Sequence, residues 1–197
     1  MEYIAHRINT LEQLQQLPTE YGVELDLRDT GDQLILQHDP FTDGESFEEY
    51  LKHYKHGTMI LNIKSERIEH RVLELIQKYN IKKYFFLDQS FPMVVTMANE
   101  GESNIAIRFS EYERLETILT MKDKIKWVWV DCFHSISQTI DKASYQTIKE
   151  AGFQLCLVSP ELQGRPDELN ECKQYLNENN IIFDAICTKQ YNIDHWK

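Results

Sequence analysis

Two acidic residues stand two positions apart in the segment Val23–Arg28, in which apolar and polar residues alternate. This alternation is typical of a half-buried β-strand. A period of two places the carboxylates of Glu24 and Asp26 on one face and the apolar side chains on the other. Neighbouring carboxylates repel each other, and a divalent cation removes that repulsion. Because hard cations take carboxylate oxygens as ligands, the strand is a candidate site for Mg²⁺ or Ca²⁺. The spacing alone also fits a strand whose polar face meets solvent.

Two histidines flank this strand in the sequence. His6 is followed by Arg7 at the end of a short apolar run, and His38 follows the extended run Leu34–Gln37. An imidazole can accept and donate a proton near neutral pH, and the planar guanidinium of an arginine matches a phosphate. Cleavage of a phosphodiester needs one group that deprotonates the attacking hydroxyl and another that protonates the leaving alkoxide.

The order HR, ExD and HD within 39 residues resembles the signature of the glycerophosphodiester phosphodiesterase family, a branch of the phospholipase C-like phosphodiesterases. The matching residues are His6, Arg7, Glu24, Asp26, His38 and Asp39. The resemblance is dense over residues 3 to 40 and sparse beyond. It implies that His6 and His38 exchange protons with the substrate, that Arg7 binds the phosphate, and that the carboxylates of the ExD pair hold the metal. The aspartate after the second histidine has a supporting role.

The third strand departs from the family pattern. Family members usually carry a glutamate that completes the metal shell, but Asn62 stands at that position in Leu61–Lys64. An amide oxygen can still bind Mg²⁺ or Ca²⁺, with lower affinity expected because it carries no charge. Asp88 and Asp131, which end later strand-like runs, are alternative third ligands. Lys64 matches the family lysine and is expected to place a cation near the phosphate.

The loops after the HR and HD motifs are short compared with those of the family. Ile8 stands where the family commonly has glycine, and the chain then leads directly into a helix. The segment Pro40–Ser46 is short as well. We therefore expect an open site, or one completed by a second subunit in an oligomer.

Strand-like runs alternate with helix-like segments along the chain, which indicates a parallel sheet. Eight such runs are Tyr3–His6, Val23–Arg28, Met59–Lys64, Tyr84–Asp88, Asn104–Phe109, Trp127–Asp131, Phe153–Ser159 and Phe183–Thr188. Eight strands are the number that closes a (β/α)₈ barrel. We predict a compact TIM barrel over residues 1–197, as a single α/β domain with a small hairpin after the second strand. An open doubly wound sheet is the alternative, but no glycine-rich phosphate-binding motif follows any strand.

In such barrels the chemistry takes place at the carboxyl ends of the strands. The predicted strands end in polar residues, which are His6, Asp26, Lys64, Asp88, Arg108, Asp131, Ser159 and Thr188. This pattern gathers the motif residues onto one rim. Asp88, Arg108 and Asp131 are therefore candidates for further rim residues of the site.

Composition limits the classes of function. The chain has 197 residues, 42% of them hydrophobic, with a formal net charge of -11 and a mean hydropathy of -0.51. This charge argues against nucleic acid and anionic membrane surfaces as partners. We find no signal peptide and no membrane span, and the four cysteines have no CxxC spacing. We predict a cytoplasmic protein with reduced thiols.

The leading interpretation is a metal-dependent phosphodiesterase that hydrolyses a glycerol-phosphate-type diester, either a small molecule or a polymer-linked group. The same site would also suit a phospholipase C-like lyase that forms a cyclic phosphate. A barrel that binds a phosphorylated ligand without turnover is a third interpretation. Asn62 and the short loops favour it.

Overall fold

Parallel strands and the helices between them make up most of the computed structural model, which describes residues 1–197. The strands are β1 (Glu2–Ala5), β2 (Gly22–Thr30), β3 (Gln33–Leu36), β4 (Glu45–Ser46), β5 (Met59–Ile63), β6 (Tyr84–Leu87), β7 (Ala106–Phe109), β8 (Trp127–Val130), β9 (Gln154–Val158) and β10 (Ala185–Thr188). The helices are α1 (Leu11–Gln16), α2 (Phe47–His53), α3 (Glu69–Lys78), α4 (Phe91–Asn99), α5 (Leu115–Leu119), α6 (Ile136–Thr139), α7 (Lys142–Glu150), α8 (Leu169–Glu178) and α9 (Ile193–Trp196).

The sheet is curled and TIM-barrel-like. From β1, parallel pairing runs one way through β2 and β5 to β6, and the other way through β10, β9 and β8 to β7. A single bridge between Phe86 and Ile105 joins the two ends. Strands β3 and β4 extend the sheet antiparallel to the outer part of β2. The carboxyl ends of the eight parallel strands therefore meet on one face.

The alternation along β2 separates two buried layers. Leu25 and Leu27 belong to the large apolar cluster between the sheet and the helices. Glu24 stands in register with Ile60, which belongs to a smaller cluster on the inner face of the sheet. Glu24 and Asp26 are only 1% and 0% exposed. The expectation of a half-buried strand is therefore wrong for β2, because its polar face lies inside the curled sheet.

Local sequence signals fix several helix starts. The Thr10 side chain accepts a hydrogen bond from the Gln13 amide, and the Gln13 side chain returns one, as in a capping box. Asp141 caps α7 in the same way. Helix α4 has Pro92 in its first turn, where the missing amide hydrogen costs nothing.

Two further predictions concern the cysteines and membranes. All four cysteines are buried free thiols. Their burial raises the pKa of each thiol, so they remain protonated and unreactive. None of the helices has the length and apolar character that crossing a bilayer requires.

Candidate active site

The two β2 carboxylates lie beside the end of β5. Asp26 and Asn62 are register partners, so their side chains share the inner face. The Asn62 amide Nδ2 donates to Glu24 Oε1 at 2.8 Å, and the backbone amide of Arg7 donates to Glu24 Oε2, also at 2.8 Å. His6 Nε2 lies 3.7 Å from Glu24 Oε2. Residues from the ends of β1 and β5 thus converge on Glu24 of β2.

Asp26 is held by a residue that the sequence analysis missed. The Asn9 side chain donates to Asp26 Oδ2 at 2.9 Å and accepts from the Asp26 backbone amide at 2.9 Å. Two cations also lie near this carboxylate, with Lys64 Nζ 3.7 Å from Oδ1 and Arg7 Nε 3.7 Å from Oδ2. The short first loop thus carries Asn9 directly onto the buried acid.

The arrangement leaves buried oxygens available to a cation. Asp26 Oδ1 and Asn62 Oδ1 are buried and make no hydrogen bond. Burial, and then the charge of Asp26, raise the pKa of Glu24, so the acid pair is short of positive charge. No cluster of three or more His, Cys, Asp or Glu side chains suits a metal. The residues fit a divalent cation only if the Asn62 amide oxygen joins the two carboxylates.

His6 lies over the acid pair. Its Nδ1 is 3.1 Å from Lys189 Nζ, and its side chain is 15% exposed. Burial, together with the cations Lys189, Arg7 and Lys64, lowers the pKa of His6 to about 3. Lys189 is a second residue that the sequence analysis missed. It stands directly after β10, where its position one residue past an apolar strand was the only available signal.

His38 lies on the other side of Arg7. Its Nδ1 is 2.8 Å from Asp39 Oδ1, and this contact lowers the pKa of Asp39. The predicted supporting role of Asp39 is consistent with this contact. Arg28 donates from Nε and Nη2 to the His38 carbonyl, at 3.0 and 2.9 Å, and from Nη1 to the Lys64 carbonyl at 2.9 Å. Arg28 therefore ties the loops that carry His38 and Lys64.

The rim acids Asp88 and Asp131 form an ion-pair network with Arg108. The Arg108 guanidinium contacts both carboxylates. Asp131 also accepts from Gln163 Nε2 at 2.6 Å, and Asp88 lies 3.3 Å from Lys64 Nζ. Each oxygen of either acid thus already has a donor. Asp88 and Asp131 are consequently poorer third metal ligands than Asn62.

A cavity of about 230 Å³ opens at the carboxyl end of the sheet, and we call it the central cavity. Its lining includes most of the predicted site, namely His6, Arg7, Glu24, Asn62, Lys64, Asp88, Arg108 and Asp131. Asp26 lies beneath it. His38 does not line the cavity but lines an adjoining cleft, and Arg7 belongs to both. Of the two predicted proton-transfer residues, only His6 therefore lines the central cavity.

Strain also marks this rim. Arg7 and Asp88 have positive φ angles of 57° and 58°, in the left-handed region that side chains other than glycine rarely adopt. Each residue lies just past the end of a parallel strand, β1 or β6. Such strain tends to cluster at ligand-binding sites.

Solved structures share this fold. A glycerophosphodiester phosphodiesterase from Agrobacterium tumefaciens str. C58 superimposes with a TM-score of 0.62, at 14% identity, over 95% of this chain and 96% of its own. A glycerophosphoryl diester phosphodiesterase from Parabacteroides distasonis ATCC 8503 gives 0.56 at 13% identity, over 98% of this chain and 85% of its own. A mutant tryptophan synthase alpha-subunit from Pyrococcus furiosus gives 0.53 at 11% identity, over 96% and 86%.

The sequence comparisons add no relative, since neither a family model nor a curated protein matches this chain. At identities of 11 to 14%, the structural matches establish a fold and not an activity. The fold defines the class as a TIM-barrel-like α/β protein.

Proposed function

We propose that this protein is a metal-dependent phosphodiesterase that hydrolyses a glycerol-phosphate-type diester. One observation carries the proposal: His6, Arg7, Glu24, Asn62 and Lys64, drawn from three separate strand ends, line one cavity above two unpartnered buried oxygens. The phosphodiesterase-like fold supports it. We also infer that the bridge between β6 and β7 closes the sheet into a (β/α)₈ barrel. The cytoplasmic location stays a prediction from the sequence.

Glu24, Asp26 and the Asn62 amide oxygen would hold Mg²⁺ or Ca²⁺. When bound, such a cation would neutralise phosphate charge and polarise a phosphoryl oxygen. Arg7 and Lys64 supply fixed positive charge beside the same place, and their distances of 3.7 Å from Asp26 show that both reach the acid pair. These two cations, together with a bound metal ion, would offset the repulsion between an anionic diester and a chain of net charge -11.

The two histidines would carry the protons. His6 reaches the cavity from β1, and His38 reaches the adjoining cleft with Arg7 between them. A phosphate held by Arg7 would thus have one imidazole on each side. One would take the proton of the attacking hydroxyl and the other would protonate the leaving alkoxide. Asp39 orients His38 through its ring nitrogen.

The decisive experiment is an assay on glycerophosphodiesters with added Mg²⁺ or Ca²⁺ and with a chelator. Activity that the chelator removes supports the proposal, and a complete lack of turnover with either metal contradicts it. In that case the binding-barrel interpretation, which Asn62 favours, takes its place. Phosphorus NMR of the product separates hydrolysis from the lyase course, because only the latter gives a cyclic phosphate.

A further inference from the structure

Lys189 is a half-buried cation whose partner is not an acid. Its Nζ lies 3.1 Å from His6 Nδ1 and makes no other hydrogen bond and no ion pair. Arg7 and Lys64, by contrast, each lie 3.7 Å from the Asp26 carboxylate. A lysine ammonium has donors only, so it can bind an imidazole only through a ring nitrogen that carries no hydrogen. The charge of Lys189 is therefore directed at the ring of His6.

The backbone holds these two side chains together. Strands β1 and β10 are parallel, and their last register pair is Ala5 with Thr188. His6 and Lys189 are the next residues on these strands, so their side chains start beside each other. The Thr188 hydroxyl and the Lys189 backbone amide both donate to Glu161 Oε1, at 2.5 and 3.0 Å. The contact is thus fixed by the sheet and by the loop that follows β9.

The contact decides which nitrogen of the His6 ring carries the hydrogen. Nδ1 accepts from the ammonium of Lys189, so a neutral imidazole carries its hydrogen on Nε2. Nε2 lies 3.7 Å from Oε2 of Glu24, which lines the central cavity, and this distance is too long for a hydrogen bond. The Nε2–H group is therefore free to donate to an oxygen of a substrate in the cavity.

We propose that Lys189 is a positioning residue that fixes His6 as the proton donor to the leaving group and resupplies its proton. This inference rests on the proposed function, because the leaving oxygen of the diester must lie in the central cavity. The Nε2–H bond of His6 breaks and the proton goes to the leaving alkoxide, while Nδ1 takes a proton from Lys189 Nζ. The imidazole stays neutral, and the amine of Lys189 regains a proton from water. His38, in the adjoining cleft, then deprotonates the attacking water.

Kinetics of Lys189→Met, measured with Mg²⁺ or Ca²⁺ present, test this role. On an alkyl diester kcat should fall at least about 10²-fold, which is the usual contribution of a general acid. KM should change little, because Lys189 does not line the central cavity. A p-nitrophenyl diester, whose leaving group needs no proton, should restore kcat. Gln190→Met, at the next and exposed position, is the matched control and should keep the wild-type kcat on both diesters.

Lys189→Arg separates the supply of a proton from the placement of the ring. A guanidinium can donate to Nδ1 but does not give up its proton in proteins. The ¹⁵N chemical shifts of the His6 ring show which nitrogen carries the hydrogen. Lys189→Arg should keep the wild-type Nε2–H form and still lose kcat on the alkyl diester, whereas Lys189→Met should show a mixture of the two tautomers.

The ring spectrum needs no turnover, so it separates this inference from the proposed function. Hydrogen on Nδ1 in the wild type overturns the inference even if the diester is hydrolysed. A wild-type kcat in Lys189→Arg, or an equal loss on both diesters in Lys189→Met, overturns it as well. A dominant Nε2–H form that depends on Lys189, in a protein without any turnover, overturns the proposed function and the proton transfer but confirms the placement of the ring.

Discussion

Two acid pairs lie on the same rim, and they differ in the groups that surround their carboxylates. On β2, Glu24 and Asp26 are buried with only amides close by, and cations approach Asp26 no nearer than 3.7 Å. On the opposite side, Asp88 and Asp131 are bound directly by Arg108. The second pair carries its counter-charge within the chain. Of the first pair, Asp26 Oδ1 makes no hydrogen bond, and neither does Asn62 Oδ1 beside it, so this half of the rim is the one suited to an external cation.

The same contrast separates the energetic roles of the two halves. Burial raises the pKa of Asp131 although Arg108 opposes the shift. A carboxylate in that position is stable only while its partner remains. On the β2 side Arg7 and Lys64 lie 3.7 Å from Asp26 and make no hydrogen bond to it, so this acid pair is less fully compensated within the chain. Changes on β2 should therefore alter activity, whereas changes around Arg108 should alter stability.

The largest expected effect is on the β2 acids. Glu24→Gln and Asp26→Asn should each reduce turnover by at least about 10³-fold and weaken metal binding, since the charge that holds the cation is lost. Each new amide keeps one acceptor oxygen, for the Arg7 backbone amide or for Asn9 Nδ2, so the fold should remain, although Glu24→Gln loses the acceptor of Asn62 Nδ2. Without metal, thermal stability should be unchanged or slightly higher, because one of two repelling charges is gone.

Asp131→Asn is the matched control for these variants. It changes a buried rim carboxylate into an amide in the same way, but its partner is Arg108. Metal affinity measured by calorimetry should stay near that of the wild type. Equal losses of metal affinity in all three variants would show that the two halves of the rim do not differ as the contacts indicate.

The next largest expected effect is the loss of turnover when either histidine is replaced. His6→Ala and His38→Ala should each reduce turnover by at least about 10²-fold, with little change in metal binding, since general acid–base catalysis is worth about 10²–10⁴-fold. The double variant should be barely worse than the worse single one. A p-nitrophenyl diester, whose leaving group needs no proton, should rescue only the variant that lacks the general acid.

This substrate also assigns the roles of the two histidines, which line two cavities that share Arg7. Rescue of His38→Ala would make His38 the general acid, and rescue of His6→Ala would make it His6. Rescue of neither variant, or full activity of both on an alkyl diester, would remove the two-histidine mechanism.

A stability effect of about 2 kcal/mol is expected at Arg108. Arg108→Met removes the direct partner of Asp131, whose side chain is 2% exposed. Breaking a buried pair costs about 3–5 kcal/mol, and we expect less here because the Arg108 side chain is 25% exposed and Gln163 still donates to Asp131. Urea unfolding measures the change. Adding Asp131→Asn should restore much of the loss, and a double variant no more stable than Arg108→Met would contradict the assignment.

The sequence supplied the local parts of this site because its motifs are short. The HR, ExD and HD segments lie within 39 residues, and the alternation of β2 fixes which side chains share a face. The eight strand positions followed from apolar runs, although at least one boundary of each strand differs from the predicted one by one or two residues. Residue type and spacing carried this information, and no long-range contact was needed.

The remaining features depend on contacts between distant segments. Lys189 reaches His6 across 183 positions, and Gln163 reaches Asp131 across 32. Neither residue belongs to a motif, so no pattern indicates it. The burial of both faces of β2 likewise follows from the curl of the whole sheet. Asn9 was closest to being predictable, since it stands in the shortened first loop.

The smallest expected effect tests the amide that separates this chain from the family pattern. Asn62→Glu should tighten Mg²⁺ or Ca²⁺ binding about tenfold if residue 62 is a ligand, because charge is added where the buried amide oxygen makes no hydrogen bond. The same change removes the hydrogen bond from Asn62 Nδ2 to Glu24 and places a third acid beside the β2 pair. Without metal the variant should therefore melt at a lower temperature than the wild type. With saturating metal the difference in melting temperature should shrink or reverse.

Asn62→Leu, which offers neither charge nor oxygen, is the control and should weaken metal binding. An unchanged affinity in Asn62→Glu would place residue 62 outside the metal shell. Such a result would also contradict the conclusion that the β2 pair, unlike the pair around Arg108, suits a cation, because the β2 side would then have no third ligand.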